Sequence, residues 1–275
     1  MTAGAVSGRL IVCPTPIGNL EDITLRAVEA LRSADVIACE DTRTTKVLLD
    51  RYEITTPRVR YDEHAEKRAT PGLIKRISGG ETVALVSDAG TPLVSDPGFV
   101  LLQAALAAGL TVEVLPGPSS VLTALVASGL PAERWRFVGF LPRKRGELLE
   151  LLENDETLVA FESPRRAGAT LALLAGLDAE RPVALCREMT KRFEEVVRGS
   201  AAELAERYRA APPKGEVVLV IGAAQAGSSD RASAEQAVRE LVAAGAKPRP
   251  AATVIAGLTG LTANELYRAA AASGD

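Results

Sequence analysis

Short apolar runs alternate with segments of helical period through the first 225 residues, and this alternation confines the chain to an α/β architecture. Runs at 9–13, 35–39, 58–61, 83–87 and 111–115 read as one set of strands. Runs at 135–140, 157–161, 183–187, 194–198 and 216–221 read as a second set. Between the first two runs, Ile23 to Leu31 carries apolar residues at helical spacing, with Asp22 placed to cap it. Phe99 to Ala108 reads as a helix halted by Gly109, and Val121 to Ala127 as a short helix ending near Gly129. The boundary between two α/β domains falls near 115–120, which gives an N-terminal domain over 9–118 and a C-terminal domain over 119–222. A cleft is expected between them. The small, polar stretch from Gly222 to Asp230 opens a linker assigned to 223–233. A helical tail over 234–275 follows, with segments at Ala234–Ala244, Pro250–Thr259 and Thr262–Ala272 punctuated by Gly245 and Gly260.

Three of the strand-like runs end in turns rich in Gly, Pro and small hydroxyl residues. The first turn is Pro14-Thr15-Pro16-Ile17-Gly18-Asn19-Leu20-Glu21-Asp22. The second is Asp88-Ala89-Gly90-Thr91-Pro92-Leu93-Val94-Ser95-Asp96-Pro97-Gly98, and the third is Pro116-Gly117-Pro118-Ser119-Ser120. Ligands of open α/β sheets bind at the carboxyl ends of strands, so three such loops in succession point to a backbone-lined cleft. Neither the P-loop nor the dinucleotide fingerprint is present. Asp88 and Asp96 would repel a pyrophosphate but suit a cationic or hydroxylated ligand, a description that S-adenosylmethionine meets.

Composition narrows the class further. A 275-residue chain with 47% hydrophobic and 24% charged residues has the profile of an ordinary globular protein. No apolar stretch approaches the ~20 residues of a membrane helix. Met1 to Gly8 lacks the charged head and apolar core of a secretory signal, so the chain reads as cytosolic. Cys13, Cys39 and Cys186 each sit inside an apolar run and read as buried thiols. With His64 as the single histidine, no metal site is expected. The net charge of −3 gives no global pull on nucleic acid, so an RNA substrate would need a local basic face. One candidate holds Arg134, Arg136, Arg143, Lys144 and Arg145 against Glu133, Glu147 and Glu150. Another holds Arg181, Arg187, Lys191, Arg192 and Arg198 against Glu188, Glu194 and Glu195. The tail is balanced in charge and reads as an accessory or assembly element without DNA binding.

The wording of several motifs closely resembles the small-subunit ribosomal RNA methyltransferases of the tetrapyrrole-methylase-like class. The resemblance rests on Pro14 to Thr24, Glu40-Asp41-Thr42-Arg43, Ser87 to Pro92 with Ser95 to Gly98, Phe161-Glu162-Ser163-Pro164-Arg165-Arg166, and Cys186 to Glu195. It implies two α/β domains with S-adenosylmethionine in the cleft between them, a homodimer, and 2′-O-methylation of a cytidine ribose in 16S ribosomal RNA or the small subunit. It also implies that Gly90-Thr91-Pro92 stands where the wider class has a Gly-Asp-Pro cofactor loop, that 116–120 is the next cofactor loop, and that Gly215-Glu216 borders the adenine. The cofactor residues expected are therefore Pro16, Gly18, Asp88, Gly90, Thr91, Pro92, Ser95, Asp96, Gly117, Ser119, Ser120, Gly215 and Glu216.

Ribose methylation needs an oriented hydroxyl and a route for its proton. A carboxylate serves as base, or a Lys whose pKa is lowered. Glu40, Asp41, Arg43, Glu188 and Lys191 are the catalytic candidates, although Glu40-Asp41 could equally be a helix cap. Arg165-Arg166 suits phosphate oxygens, because guanidinium forks match them. Arg143, Lys144 and Glu162 join that pair as RNA-contact candidates. Trp135 and Phe137 read as core. The rival readings are a methyltransferase acting on a tetrapyrrole precursor and a cofactor-binding assembly module without catalysis.

Overall fold

The structure, a computed structural model, describes residues 8–153, 155–224, 229–259 and 261–271. The middle of the expected linker (225–228), Gly260, the N-terminal stretch before Gly8 and the tail beyond 271 lie outside the described residues.

The first sheet contains β1 (Arg9–Val12), β2 (Val36–Cys39), β3 (Arg58–Arg60), β4 (Thr82–Val86) and β5 (Thr111–Val114), all parallel, in the order β3-β2-β4-β1-β5. Continuous apolar runs such as Leu10-Ile11-Val12 suit a parallel sheet covered on both faces. Side chains alternate across a strand, so the two faces of β1 belong to different cores. Ile11 packs with Ala27, Leu31, Leu48 and Leu49 of α1 (Leu25–Ser33) and α2 (Thr42–Arg51). Leu10 and Val12 pack with Leu73, Ile77, Leu101 and Ala105 of α3 (Glu66–Ser78) and α4 (Phe99–Ala107). The cap of α1 is Thr24, whose hydroxyl accepts from the Ala27 amide at 3.1 Å, and not Asp22. Asp22 instead closes a single 3₁₀ turn, Leu20–Asp22, that Asn19 caps through its bond from the Glu21 amide.

The second sheet is mixed. It contains β6 (Trp135–Phe140), β7 (Thr157–Glu162), β8 (Pro182–Arg187), β9 (Glu195–Ser200) and β10 (Val217–Ile221) in the order β6-β7-β10-β8-β9. Only β6 and β7 run parallel. One face carries α5 (Ser120–Ser128), where Val121, Ala124 and Leu125 meet Val159, Ala184, Val218 and Val220. The other face carries α6 (Arg145–Leu152), α7 (Pro164–Leu177) and α8 (Ala201–Arg207). Phe137 packs edge-on against Phe161 with ring centroids 5.1 Å apart, so it belongs to this core together with the partly buried Trp135. Cys13, Cys39 and Cys186 are buried, and burial pushes the Cys13 thiol up to about 12 and that of Cys186 to about 11.

The tail folds into α9 (Ser229–Ala243), α10 (Pro248–Thr259) and α11 (Ala263–Ala271) around a small core of Ala234, Val238, Ala251, Ala252 and Leu266. The first of these helices begins inside the stretch read as linker, because 229–233 contains no Gly or Pro to stop it. Among the described residues, no helix is long and apolar enough to cross a membrane.

Candidate functional site

The sheet order places the loops after β1 and β4 side by side. Thr15 and Gly90 exchange two backbone hydrogen bonds, 2.9 and 3.0 Å, that lock the loops together. Beneath this bridge a cavity of about 410 Å³ opens between the two sheets. Gly90, Thr91, Ser95 and Asp96 line it from the first domain, Ser119 and Ser120 from the start of α5, and Gly215 and Glu216 from the loop before β10. The loop after β4 holds its shape at some cost. Leu93 and Ser95 adopt φ values of 72° and 67°, a left-handed backbone unusual for residues with a Cβ. The Thr91 hydroxyl donates to the Pro118 carbonyl at 3.1 Å, and the Ser119 hydroxyl accepts from the Leu122 amide to cap α5. The lining also includes an apolar wall of Ile17, Val94, Phe140, Met189, Val217 and Val218. Sequence reasoning missed this wall, because apolar residues near strand ends look like ordinary core.

The remaining expected cofactor residues frame the cavity without lining it. Pro16 and Pro92 are buried in the loops themselves. A Cβ on Gly18 would lie 2.5 Å from Cγ of Lys191, so this glycine lets the first loop dock onto residues 189–191. The neighbouring Asn19 amide donates to the Thr190 hydroxyl at 3.0 Å. A Cβ on Gly117 would lie 2.6 Å from Cβ of Pro14. Gly215 both lines the cavity and admits another loop, since its Cβ would sit 2.2 Å from the Glu188 carboxylate and its φ is +82°. Asp88 faces a second cavity.

That second cavity, about 600 Å³, lies at the carboxyl ends of β2, β3 and β4 and is lined by Glu40, Asp41, Arg43, Arg60, Asp62, His64 and Asp88 among others. Glu40 and Asp41 are sequence neighbours with different roles. Asp41 caps α2, accepting from the Arg43 amide at 2.8 Å, and pairs with the Arg43 guanidinium at 2.6 Å, which holds its carboxyl well below the usual range. Its own amide donates to Asp88 Oδ1 at 3.0 Å. Glu40 has no cationic partner among the described residues. Burial raises its pKa, the charge of Asp88 adds to that rise, and a hydrogen bond from the Asp88 backbone only partly opposes it. Asp88 is likewise raised by burial, against the bond from the Asp41 amide. Asp96, across the same loop in the first cavity, is pushed up to about 6 by burial, helped by the charges of Glu40 and Asp88 and opposed by a bond from Ser87. Asp62 and His64 also line this cavity, outside the motifs that point to it in the sequence. Their position directly after the strand-like run 58–61 was the available signal.

Glu188 and Lys191 form a closed ion network with Glu216. The Lys191 ammonium lies 3.3 Å from Glu188 Oε1 and 2.8 Å from Glu216 Oε2, and the Glu216 amide donates to Glu188 Oε1 at 3.0 Å. Burial alone would lower the pKa of Lys191, but its bonds to Glu216 and Glu188 outweigh that and raise it. Glu188 is lowered, first by the Glu216 amide. The ion network thus favours the charged form of Lys191, opposite to the lowered pKa that a lysine base needs.

The expected RNA contacts also divide. Glu162 is buried, accepts from the Ser163 amide at 2.7 Å and the Thr170 hydroxyl at 2.6 Å, and lies 3.4 Å from the Arg166 guanidinium. Arg166 in turn donates to the carbonyls of Leu141 at 3.1 Å and Pro142 at 2.6 Å. Glu162, at the end of β7, turns its carboxylate onto α7, and Arg166, in the first turn of α7, reaches the loop after β6. Glu162 is sealed from solvent, whereas Arg166 keeps a part of its side chain exposed. Arg143 and Arg165 are exposed without an ion pair among the described residues, and Lys144 pairs with Glu147 at 2.9 Å. Phe140, 65% exposed, stands between this basic face and the first cavity. Replacing Arg166 with Ala should destabilise the fold by ~1–3 kcal/mol in urea denaturation, the cost of stranding buried hydrogen-bonding groups. Arg165→Ala, at an exposed side chain, should leave stability unchanged in the same measurement.

Comparison with known proteins follows the same lines. Residues 9–205 match the tetrapyrrole (corrin/porphyrin) methylase family. The ribosomal RNA small subunit methyltransferase I of Mesorhizobium japonicum is 48% identical, over 94% of this chain and 90% of its own length. The protein of the same name from Streptococcus pyogenes is 42% identical, over 95% and 94%. Among solved structures, uroporphyrin-III C-methyltransferase from Thermus thermophilus, in complex with S-adenosylhomocysteine, superposes with a TM-score of 0.55 at 23% identity, covering 78% of this chain and 97% of its own. Cobalt precorrin-4 methyltransferase superposes with a TM-score of 0.61 at 19% identity, covering 81% and 97%.

Proposed function

The chain belongs to the tetrapyrrole (corrin/porphyrin) methylase family, in its ribosomal RNA small subunit methyltransferase I group, and from that premise we propose that it methylates the ribose 2′-oxygen of a cytidine in 16S ribosomal RNA, with S-adenosylmethionine as donor. The observation that carries this reading is the cavity between the sheets, in which residues of three strand-end loops join apolar side chains of both sheets' ends. Its size falls in the range of small-molecule sites. Its donor set fits the cofactor: apolar side chains suit a purine, the hydroxyls of Thr91, Ser95, Ser119 and Ser120 suit a ribose diol and an amino acid, and Asp96 suits positive charge. When bound, the cofactor supplies an electrophilic methyl group on a sulfonium.

The chain's own residues supply orientation and proton transfer. Glu40 is the proton acceptor in this account, because a carboxylate with a raised pKa is a better base than one held down by an arginine. Asp41 and Arg43 shape the rim through their mutual pair, while Glu188, Lys191 and Glu216 fix the opposite loop. Arg143, Lys144 and Arg165 hold RNA phosphates beside Phe140, which is available for stacking. A homodimer is supported by residues 97–132, in which Glu113 is the single charged group and Phe99, Leu106, Val114, Leu122 and Val126 are exposed. The protein acts in the cytoplasm, where its RNA substrate is assembled.

Asp96 makes cofactor binding sensitive to pH. Its carboxyl is neutral below about 6 and anionic above. Affinity for the cationic cofactor should therefore fall as pH drops through about 6, and Asp96→Asn should flatten that dependence in calorimetric titrations. The opposite sign holds for folding, because a raised carboxyl pKa favours the native state at low pH and loses that contribution as pH climbs from about 4 to about 6. The function itself is tested by supplying labelled S-adenosylmethionine with immature small subunits or with a tetrapyrrole precursor. Label is expected in the RNA. Label in the tetrapyrrole alone would overturn the reading.

A further inference from the structure

The helical module α9–α11 is not part of the family match, which ends at residue 205. The ribosomal RNA relatives nevertheless align over 94% and 95% of the chain, which carries the alignment well into this module. The tetrapyrrole-methylating structures cover 78% and 81% of the chain while spending 97% of their own length, so they leave about a fifth of it without a counterpart. The module is therefore matched in relatives named for RNA such as these two.

Its surface has the chemistry for that substrate. Cations and carboxylates balance in number along the tail, but the stretch between α9 and α11 carries cations alone. Glu235 and Glu240 lie on α9, where Arg239 reaches Glu235 at 4.0 Å and Gln236 bonds Glu240 at 2.9 Å. Glu265 is bound into the start of α11 by Thr262. No acid occurs between Glu240 and Glu265, a stretch that contains Lys247 and Arg249. Both of these are exposed, as is Arg268 in the last turn of α11, and none of the three has a carboxylate partner among the described residues. The Arg249 guanidinium lies 5.8 Å from the centre of the Tyr267 ring, which is itself 38% exposed. An arginine held over a tyrosine, in a module that also exposes Lys247 and Arg268, matches phosphate and unstacked bases together.

We propose that α9–α11 is a second RNA-docking element, in which Lys247, Arg249 and Arg268 hold phosphates of the small-subunit RNA and Tyr267 stacks on a base, while the cleft between the sheets performs the transfer. The proposal rests on the reading of RNA as substrate. The test compares the full-length protein with a Lys247→Glu, Arg249→Glu, Arg268→Glu variant, measuring filter binding to small-subunit RNA across a salt series together with methyl-transfer kinetics. The variant should raise KM for RNA about tenfold or more, with kcat and S-adenosylmethionine affinity unchanged. The slope of log affinity against log salt should shrink by about two, since each lost single-strand phosphate contact removes ~0.7. Lys247→Ala, outside any helix, should give a smaller loss in the same direction and guards against misfolding of the triple variant. Unchanged RNA affinity and salt slope in both variants would overturn the inference. If the native protein binds RNA but transfers no methyl group to it, the reading of the reaction fails, and the binding series still decides the docking role.

Discussion

Glu40→Gln is expected to lower methyl-transfer turnover by about a hundredfold to ten-thousandfold while leaving S-adenosylmethionine affinity near that of the native protein. The amide keeps the size of the side chain and removes its capacity to take a proton. Glu40 has no cationic partner among the described residues, and burial together with Asp88 keeps its pKa raised. Asp41→Asn should behave differently, because that side chain caps α2 and Asn caps a helix as well as Asp does. Steady-state kinetics on the two variants separates the roles. Full turnover in Glu40→Gln would move the transfer to orientation and solvent alone.

Gly90→Leu should reduce affinity for S-adenosylmethionine by about a hundredfold or more, ~2.7 kcal/mol, in calorimetric titration. Gly90 has φ +77°, and a left-handed backbone costs a residue with a Cβ ~1–2 kcal/mol. A Cβ there would already stand 3.3 Å from Cγ2 of Ile17, and the longer side chain would crowd the cavity. Its amide and carbonyl also hold the loop after β4 to the loop after β1. Gly90→Ala should lie between the native protein and the leucine variant.

All ten strands were legible in the sequence to within a residue or two, because apolar runs in a buried sheet carry their own signal. Several helices were less so. No helix was expected over 66–78, and the structure has α3 there with Pro71 inside it. The cleft was legible because strand-end loops of Gly, Pro and hydroxyl residues have few other uses. The partition of roles within it was not. Glycines in these loops admit either a ligand or another loop, and Gly18 and Gly117 turned out to admit Lys191 and Pro14. Sequence neighbours also diverge in space: Arg165 faces solvent while Arg166 is folded against the carbonyls of Leu141 and Pro142. Only the packing of α7 on the loop after β6 distinguishes them.

The central claim, transfer of a methyl group to a cytidine 2′-oxygen, is tested most directly by mass spectrometry of small-subunit RNA digested after incubation with the protein and isotopically labelled S-adenosylmethionine. The account predicts a labelled methyl group on the ribose of a cytidine, lost when Glu40 is replaced by Gln. A label on a base carbon or nitrogen, or RNA left unlabelled while a tetrapyrrole precursor is methylated, would contradict it.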